Sequence, residues 1–161
     1  MSIFFNPDEI LEMAEQIEEN GARFYRQAAQ EAKDVEIHEL LQELAAMEDA
    51  HEKFFANMRE NLKAEEIAFN ADAQASSYLN AWADSHVFDM KADPVKRIKD
   101  QKDMEGILRV AIDLEKESIV FYLGMKNAVN KKTYQDRIEE IIKEEMKHIV
   151  YLSAKLSAPK K

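Results

Sequence analysis

Glu48-Asp49-Ala50-His51 and Glu145-Met146-Lys147-His148 are the two stretches that decide how this chain reads. Each sets an imidazole three residues after a carboxylate, one helical turn away on the same face. They lie 97 residues apart, and the same offset relates Glu18 to Glu115 and Tyr25 to Tyr122. Ala14/Ala111, Phe24/Phe121 and Glu43/Glu140 repeat at it too, while Leu44/Ile141 and Phe54/Tyr151 are similar in kind. Such a repeat predicts two similar helical hairpins packed about a pseudo-two-fold axis.

Outward from these stretches, apolar residues recur at steps of three and four, the spacing of a helix face buried in a bundle. The first stripe is Leu11, Ala14, Glu18, Gly21, Tyr25, Ala28, and the second Leu41, Leu44, Glu48, His51, Phe55, Met58, Leu62. The third is Leu108, Ala111, Glu115, Ser118, Tyr122, Met125, Val129, and the fourth Ile138, Ile141, Glu145, His148, Leu152. The stripes predict helices at about 7–31, 35–63, 104–129 and 134–156. Asn6 suits the first N-cap, with Pro7 at the first helical position and Glu9 completing a capping box. Asp34, Asp103 and Thr133 are the expected caps of the others, with Asp136 three residues after Thr133. Residues 64–103 form a long crossover, with a short helix expected around Tyr78-Leu79-Asn80-Ala81-Trp82 and a turn at Asp93-Pro94. The expected architecture is all-α: one domain over 1–161, a four-helix bundle of two antiparallel hairpins joined by that crossover.

Every stripe carries a Glu in its middle. Glu18 and Glu48 are equally far from the turn near residue 33, and Glu115 and Glu145 equally far from the turn near 130. In antiparallel hairpins, equal distances place residues at one level. Four carboxylates and the two imidazoles, His51 and His148, therefore meet in one layer. A buried carboxylate costs several kcal/mol unless it is paired or binds a metal. No Lys or Arg is interleaved in these stripes, so the missing cation is read as metal. One Glu from each of two helices and Glu-x-x-His from two others is the ligand set of di-iron and di-manganese carboxylate bundles. The metal-ligand candidates are Glu18, Glu48, His51, Glu115, Glu145 and His148. Hard oxygen donors with imidazole suit iron or manganese.

Tyr25 and Tyr122 follow a candidate Glu by seven residues, so each phenol is placed either to hydrogen-bond a carboxylate or to serve as ordinary core. Glu19, Glu52, Glu117 and Glu144 point elsewhere on their helices, toward solvent or behind the ligands. His38 and His86 lack a Glu three residues before them and are read as surface or structural. Trp82 is read as packing or subunit contact.

Composition narrows the field. Three Gly and three Pro in 161 residues exclude a turn-rich sandwich or barrel, and 46% hydrophobic residues allow a sizeable core. No Cys is present, which excludes disulfides, iron–sulfur clusters, thiolate zinc and a cysteine nucleophile. A net charge of −10 argues against nucleic-acid or anionic-membrane partners. The short basic stretch Lys96, Arg97, Lys99, Lys102 is read as solvated. No run of 18 apolar residues predicts a membrane span. The start lacks a basic region followed by a long apolar one, so the cytoplasm is the expected location.

The residues Glu18-Glu19-Asn20-Gly21-Ala22-Arg23-Phe24-Tyr25, Glu48 to His51, Glu115 to Tyr122 and Glu145 to His148 resemble the ferritin-like superfamily, and most closely its rubrerythrin branch. The resemblance covers about 7–63 and 104–156. It implies a di-iron centre of two iron ions per chain, with manganese or another divalent metal as the alternative. Glu48 and Glu145 would bridge, Glu18 and Glu115 would be terminal, and each His would bind one iron. By resemblance the activity is reduction of hydrogen peroxide or dioxygen, removing peroxide in oxidative stress. The alternatives are a ferroxidase or iron-handling protein, and a structural metal-stabilised bundle. Rubrerythrins proper carry a Cys-rich rubredoxin domain, so here electrons are expected from an external donor protein such as a rubredoxin. They also place a further Glu one turn beyond the third-helix ligand. Ser118 stands there, which counts against their iron-shifting cycle. The short C-terminal end after the fourth helix favours a homodimer over a cage.

Overall fold

The computed structural model describes residues 5–86 and 92–159. Part of the crossover and both extreme ends lie outside them, including the first residues used in reading the start of the chain. Among the described residues six helices follow in order: α1 Pro7–Glu31, α2 Val35–Glu60, α3 Ala73–His86, α4 Pro94–Lys99, α5 Met104–Ala128 and α6 Lys132–Ser157. The long helices α1, α2, α5 and α6 form the bundle, with α1 packed along α2 and α5 along α6.

Three of the four expected caps form. The Asn6 side chain accepts from the Glu9 amide and Glu9 reaches back to the Asn6 amide, so two end groups of α1 are satisfied. Asp34 accepts from Ile37 and Asp103 from Gly106. Thr133 does not cap α6. That helix begins at Lys132 with Lys131 as an N-cap whose side chain makes no capping bond. The chain is already held there by the crossover: the Asn130 amide donates to Ala68 O, and the Asn130 side chain bonds Ala68 N and Glu66 O, all near 2.9–3.0 Å. This tertiary clamp sets where the helix starts. At the other side α2 ends at Glu60, before the expected 63, in turns that reach Glu66 with its positive φ of 50°.

The crossover is more helical than its sequence suggests. Asp93 caps α4 through Val95, and α3 runs well beyond Tyr78–Trp82 in both directions. Helix α3 lies on α5 and α4 on α1. Gly124 permits the first approach: a Cβ there would sit 2.8 Å from the Tyr78 ring. Trp82 packs its indole against Phe121, ring centroids 4.4 Å apart, and stacks on His86 at 4.0 Å. Its expected packing role is what it performs within the chain.

The core divides in two. One apolar cluster gathers Leu11, Ala14, Phe55, Met58, Leu79, Phe121, Tyr122, Met125, Ile138 and Ile141. The other gathers Phe24, Tyr25, Ala28, Leu41, Leu44, Leu108, Ala111 and Leu152. The Glu-bearing turns of all four long helices lie between them. Leu79 joins the first cluster from α3, so Leu79→Ala should cost about 2–5 kcal/mol by the usual large-to-small penalty. Chemical denaturation measures this; a loss under about 0.5 kcal/mol would show that α3 is not part of the cooperative core.

Candidate metal centre

Helical periodicity aims Glu18, Glu48, Glu115 and Glu145 at one another from four helices, and His51 and His148 follow one turn along α2 and α6. All six are buried; Glu48, the most exposed, is only 4% so. Their donor atoms form two groups, each within 4.8 Å: Glu18, Glu48, His51, Glu145 and Glu48, Glu115, Glu145, His148. The groups share Glu48 and Glu145. The arrangement is close to two-fold. His51 Nδ1 lies 3.0 Å from Glu145, 3.4 Å from Glu48 and 3.5 Å from Glu18. His148 Nδ1 lies 2.9 Å from Glu145, 3.3 Å from Glu115 and 3.6 Å from Glu48. The two rings are nearly parallel, 6.2 Å between centroids.

The phenols complete the layer crosswise. Tyr25, from α1, donates to Glu115 on α5, and Tyr122, from α5, donates to Glu18 on α1. Each tyrosine therefore serves the carboxylate of the opposite hairpin rather than that of its own helix. Burial, then the neighbouring Glu charges, raises both phenol pKa values well above the ordinary range, so both remain protonated donors.

The residues 9–156 match the family model for rubrerythrin. The chain belongs to the rubrerythrin family. Among solved structures, one described as a ferritin-like diiron-carboxylate protein of Thermotoga maritima is similar at 22% identity, covering 95% of each chain with a TM-score of 0.67. That likeness supports the ferritin-like fold of the bundle. Comparison with curated proteins gives no match.

The donor set fits a pair of metal ions on its own chemistry. It offers oxygen and imidazole nitrogen, no sulfur, and no Lys or Arg among the groups that gather there. Glu145 Oε2 is buried and lies 2.9 Å from His148 Nδ1 without a well-aligned hydrogen bond, which leaves a lone pair in the layer. In the metal-free protein, protons stand in for the missing positive charge. Burial would lower His51, yet bonds to Glu145 and Glu18 raise its pKa to about 11. The same balance, with Glu115 and Glu145, brings His148 to about 9. Burial and mutual repulsion raise Glu48 and Glu145. Burial also opposes the charge on Glu115, but bonds from Glu145 and His148 outweigh it and hold that carboxyl low.

A cavity of about 340 Å³ opens onto this layer between α1 and α5 and beneath α3 and α4, reaching Glu18, Glu48, Glu115 and Tyr25. Its outer wall includes Trp82, His86 and Arg97, crossover residues that the sequence did not mark as neighbours of the centre. No periodic signal could have found them, because the crossover is placed by packing. Ser118 lines the cavity too, its hydroxyl turned back to Leu114 O at 3.0 Å. His38 bonds Ala29 O and His86 bonds Trp82 O, both structural contacts. Glu144 reaches the centre from behind, 2.6 Å from His51 Nε2. Among the described helices, none is long and apolar enough to cross a membrane.

Metal must displace protons here, because His51 and His148 hold theirs through neutral pH and the raised Glu48 and Glu145 resist ionisation. Raised pKa values mean that the competing proton is lost as pH rises. Apparent divalent-metal affinity should therefore climb between pH 6 and 8, with protons released. Calorimetry in buffers of different ionisation enthalpy reads the release directly; a pH-independent affinity with no release would contradict this electrostatic account.

Proposed function

We propose that the protein is a di-iron oxidoreductase that reduces hydrogen peroxide or dioxygen with electrons from an external donor protein. The observation that carries this reading is the pair of overlapping four-residue groups, shared through Glu48 and Glu145, beside a cavity. Glu48 and Glu145 would bridge two iron ions. Glu18 with His51, and Glu115 with His148, would complete the two positions. Two ferrous ions so held supply two electrons, the number needed with two protons to take one peroxide to two waters.

The remaining work falls to the chain. Tyr25 and Tyr122 fix the orientation of Glu115 and Glu18 from opposite hairpins. The two apolar clusters keep bulk water from the layer on both sides, which strengthens every electrostatic contact inside it. The cavity leaves an approach for a small oxidant along Glu18, Glu48 and Glu115. These 161 residues contain no cysteine and so hold neither a rubredoxin-type iron site nor a thiol couple, which supports a donor outside this sequence.

The deciding experiment loads the protein anaerobically with Fe(II), then mixes it rapidly with peroxide or, in parallel, with dioxygen. Near-ultraviolet absorbance of oxidised iron is followed. Oxidation of about two irons per chain, much faster with peroxide, is the expected result. Equal rates with dioxygen and continued consumption of added Fe(II) would replace this reading with iron handling. No oxidation, with a melting temperature that still depends on metal, would leave a structural centre.

Ligand variants test the site separately. Glu48→Ala and Glu145→Ala should each abolish binding of a second ion, while Glu19→Ala should leave metal content unchanged. Two metals per chain retained in either bridging variant, measured by plasma emission, would overturn the assignment.

A further inference from the structure

Among the positions where the two-fold repeat fails around the centre, three lie together behind His51. Glu144 Oε2 is 2.6 Å from His51 Nε2, and its other oxygen is 3.8 Å from Arg137 Nη1. The Arg137 guanidinium in turn sits 5.6 Å over the Phe54 ring. At the offset of 97 that aligns the two hairpins, the counterparts of Glu144 and Arg137 are Met47 and Leu40, and that of Phe54 is the exposed Tyr151. One half of the centre thus has a carboxylate behind its histidine, with Arg137, hydrogen-bonded to Glu140 at 2.9 Å, close beside it. In the other half, His148 Nε2 is buried without a protein hydrogen-bond partner among the described residues.

The difference matters because the facing sides are alike: each Nδ1 looks onto three carboxylates, two of them shared. At 2.6 Å the Glu144 oxygen is placed to accept from His51 Nε2–H, so the proton that a metal displaces is the one on Nδ1, and Nδ1 becomes the ligating lone pair. Glu144 also fixes the ring plane and raises the basicity of the imidazole. Behind His148 no described residue hydrogen-bonds Nε2, so no such contact fixes the tautomer, and a proton placed there stays unsatisfied.

We propose that Glu144 is a positioning residue that makes the two metal positions inequivalent. The position of Glu18, Glu48, His51 and Glu145 takes its ion first and holds it more tightly. The position of Glu48, Glu115, Glu145 and His148 fills second and exchanges faster. This rests on the two-metal reading above and adds an order to it. Repulsion between two ions sharing carboxylates would by itself separate two affinities, but it would not choose which half fills first. Glu144 chooses.

The test is a Zn(II) titration of the metal-free protein, followed by imidazole nitrogen NMR and by calorimetry. In the wild type the first equivalent should move the His51 resonances and the second those of His148. Glu144→Met, which copies the other half, should weaken the first step about 10- to 100-fold, the usual effect of losing an outer partner. It should also erase the order, so that both histidines respond together. Glu144→Gln keeps an acceptor and should restore the order. The metal-free melting temperature reports whether the variants stay folded. Met47→Glu gives an independent arm: by the repeat it supplies His148 with a brace and should tighten the second step. The inference is overturned if His148 responds first or both respond together in the wild type. It is also overturned if Glu144→Met leaves order and first affinity within twofold, or, should that variant not fold, if Met47→Glu leaves the second step unchanged. Fewer than two bound ions in the wild type would instead sink the two-metal reading itself.

Discussion

Four carboxylates converge where the bundle is too narrow and too dry to hydrate them, and the rest of the structure is arranged around that charge. A carboxylate transferred from water into such a setting is unstable unless something positive or hydrogen-bonding meets it. The chain meets the demand in layers. Two imidazoles stand among the four carboxylates, two phenols donate from opposite sides, and the remaining positive charge comes from protons or from metal. Removing any one partner would leave a buried charge exposed to its like-charged neighbours, which is why the layer is built as a unit.

The apolar part of the fold makes that unit rigid. The buried side chains form two clusters, one on each side of the carboxylate layer, so the polar layer is clamped between packed hydrocarbon. Tyr25 belongs to one cluster and Tyr122 to the other, and each sends its hydroxyl across to the Glu of the opposite hairpin. The crossed bonds tie α1 to α5, helices that otherwise have less direct contact than the partners within each hairpin. Packing and electrostatics therefore meet in the same two residues. The crossover adds a lid of packed helix over one flank, where Trp82 on Phe121 and α4 on α1 shape the cavity.

The near-symmetry of the centre is a property of the repeat, and its asymmetry a property of what surrounds the repeat. The six inner residues obey the 97-residue offset completely. The outer ones do not: Glu144 backs one histidine with Arg137 beside it, while Met47 and Leu40 stand at the matching sequence positions of the other hairpin. Two metal positions with the same inner donors can thus differ in strength through groups that never touch the ion.

Residue spacing alone determined the four long helices, their caps at Asn6, Asp34 and Asp103, and the level at which Glu18, Glu48, Glu115 and Glu145 meet. These are legible because a helix converts a step of three or four residues into a face, and an antiparallel hairpin converts distance from its turn into height. The start of α6 was not legible: Thr133 is a good cap by type, but the clamp of Asn130 on the crossover begins the helix before it. Nor was the cavity wall of Trp82, His86 and Arg97, or the reach of Glu144 to His51. Glu144 is adjacent to Glu145, so helical geometry turns it away from the layer by about 100°. Only the packing of α6 against α2 shows that this direction ends on the back of the His51 ring. Periodicity specifies direction within one helix; what lies in that direction depends on how the helices are set against one another, and the tertiary structure alone decides it.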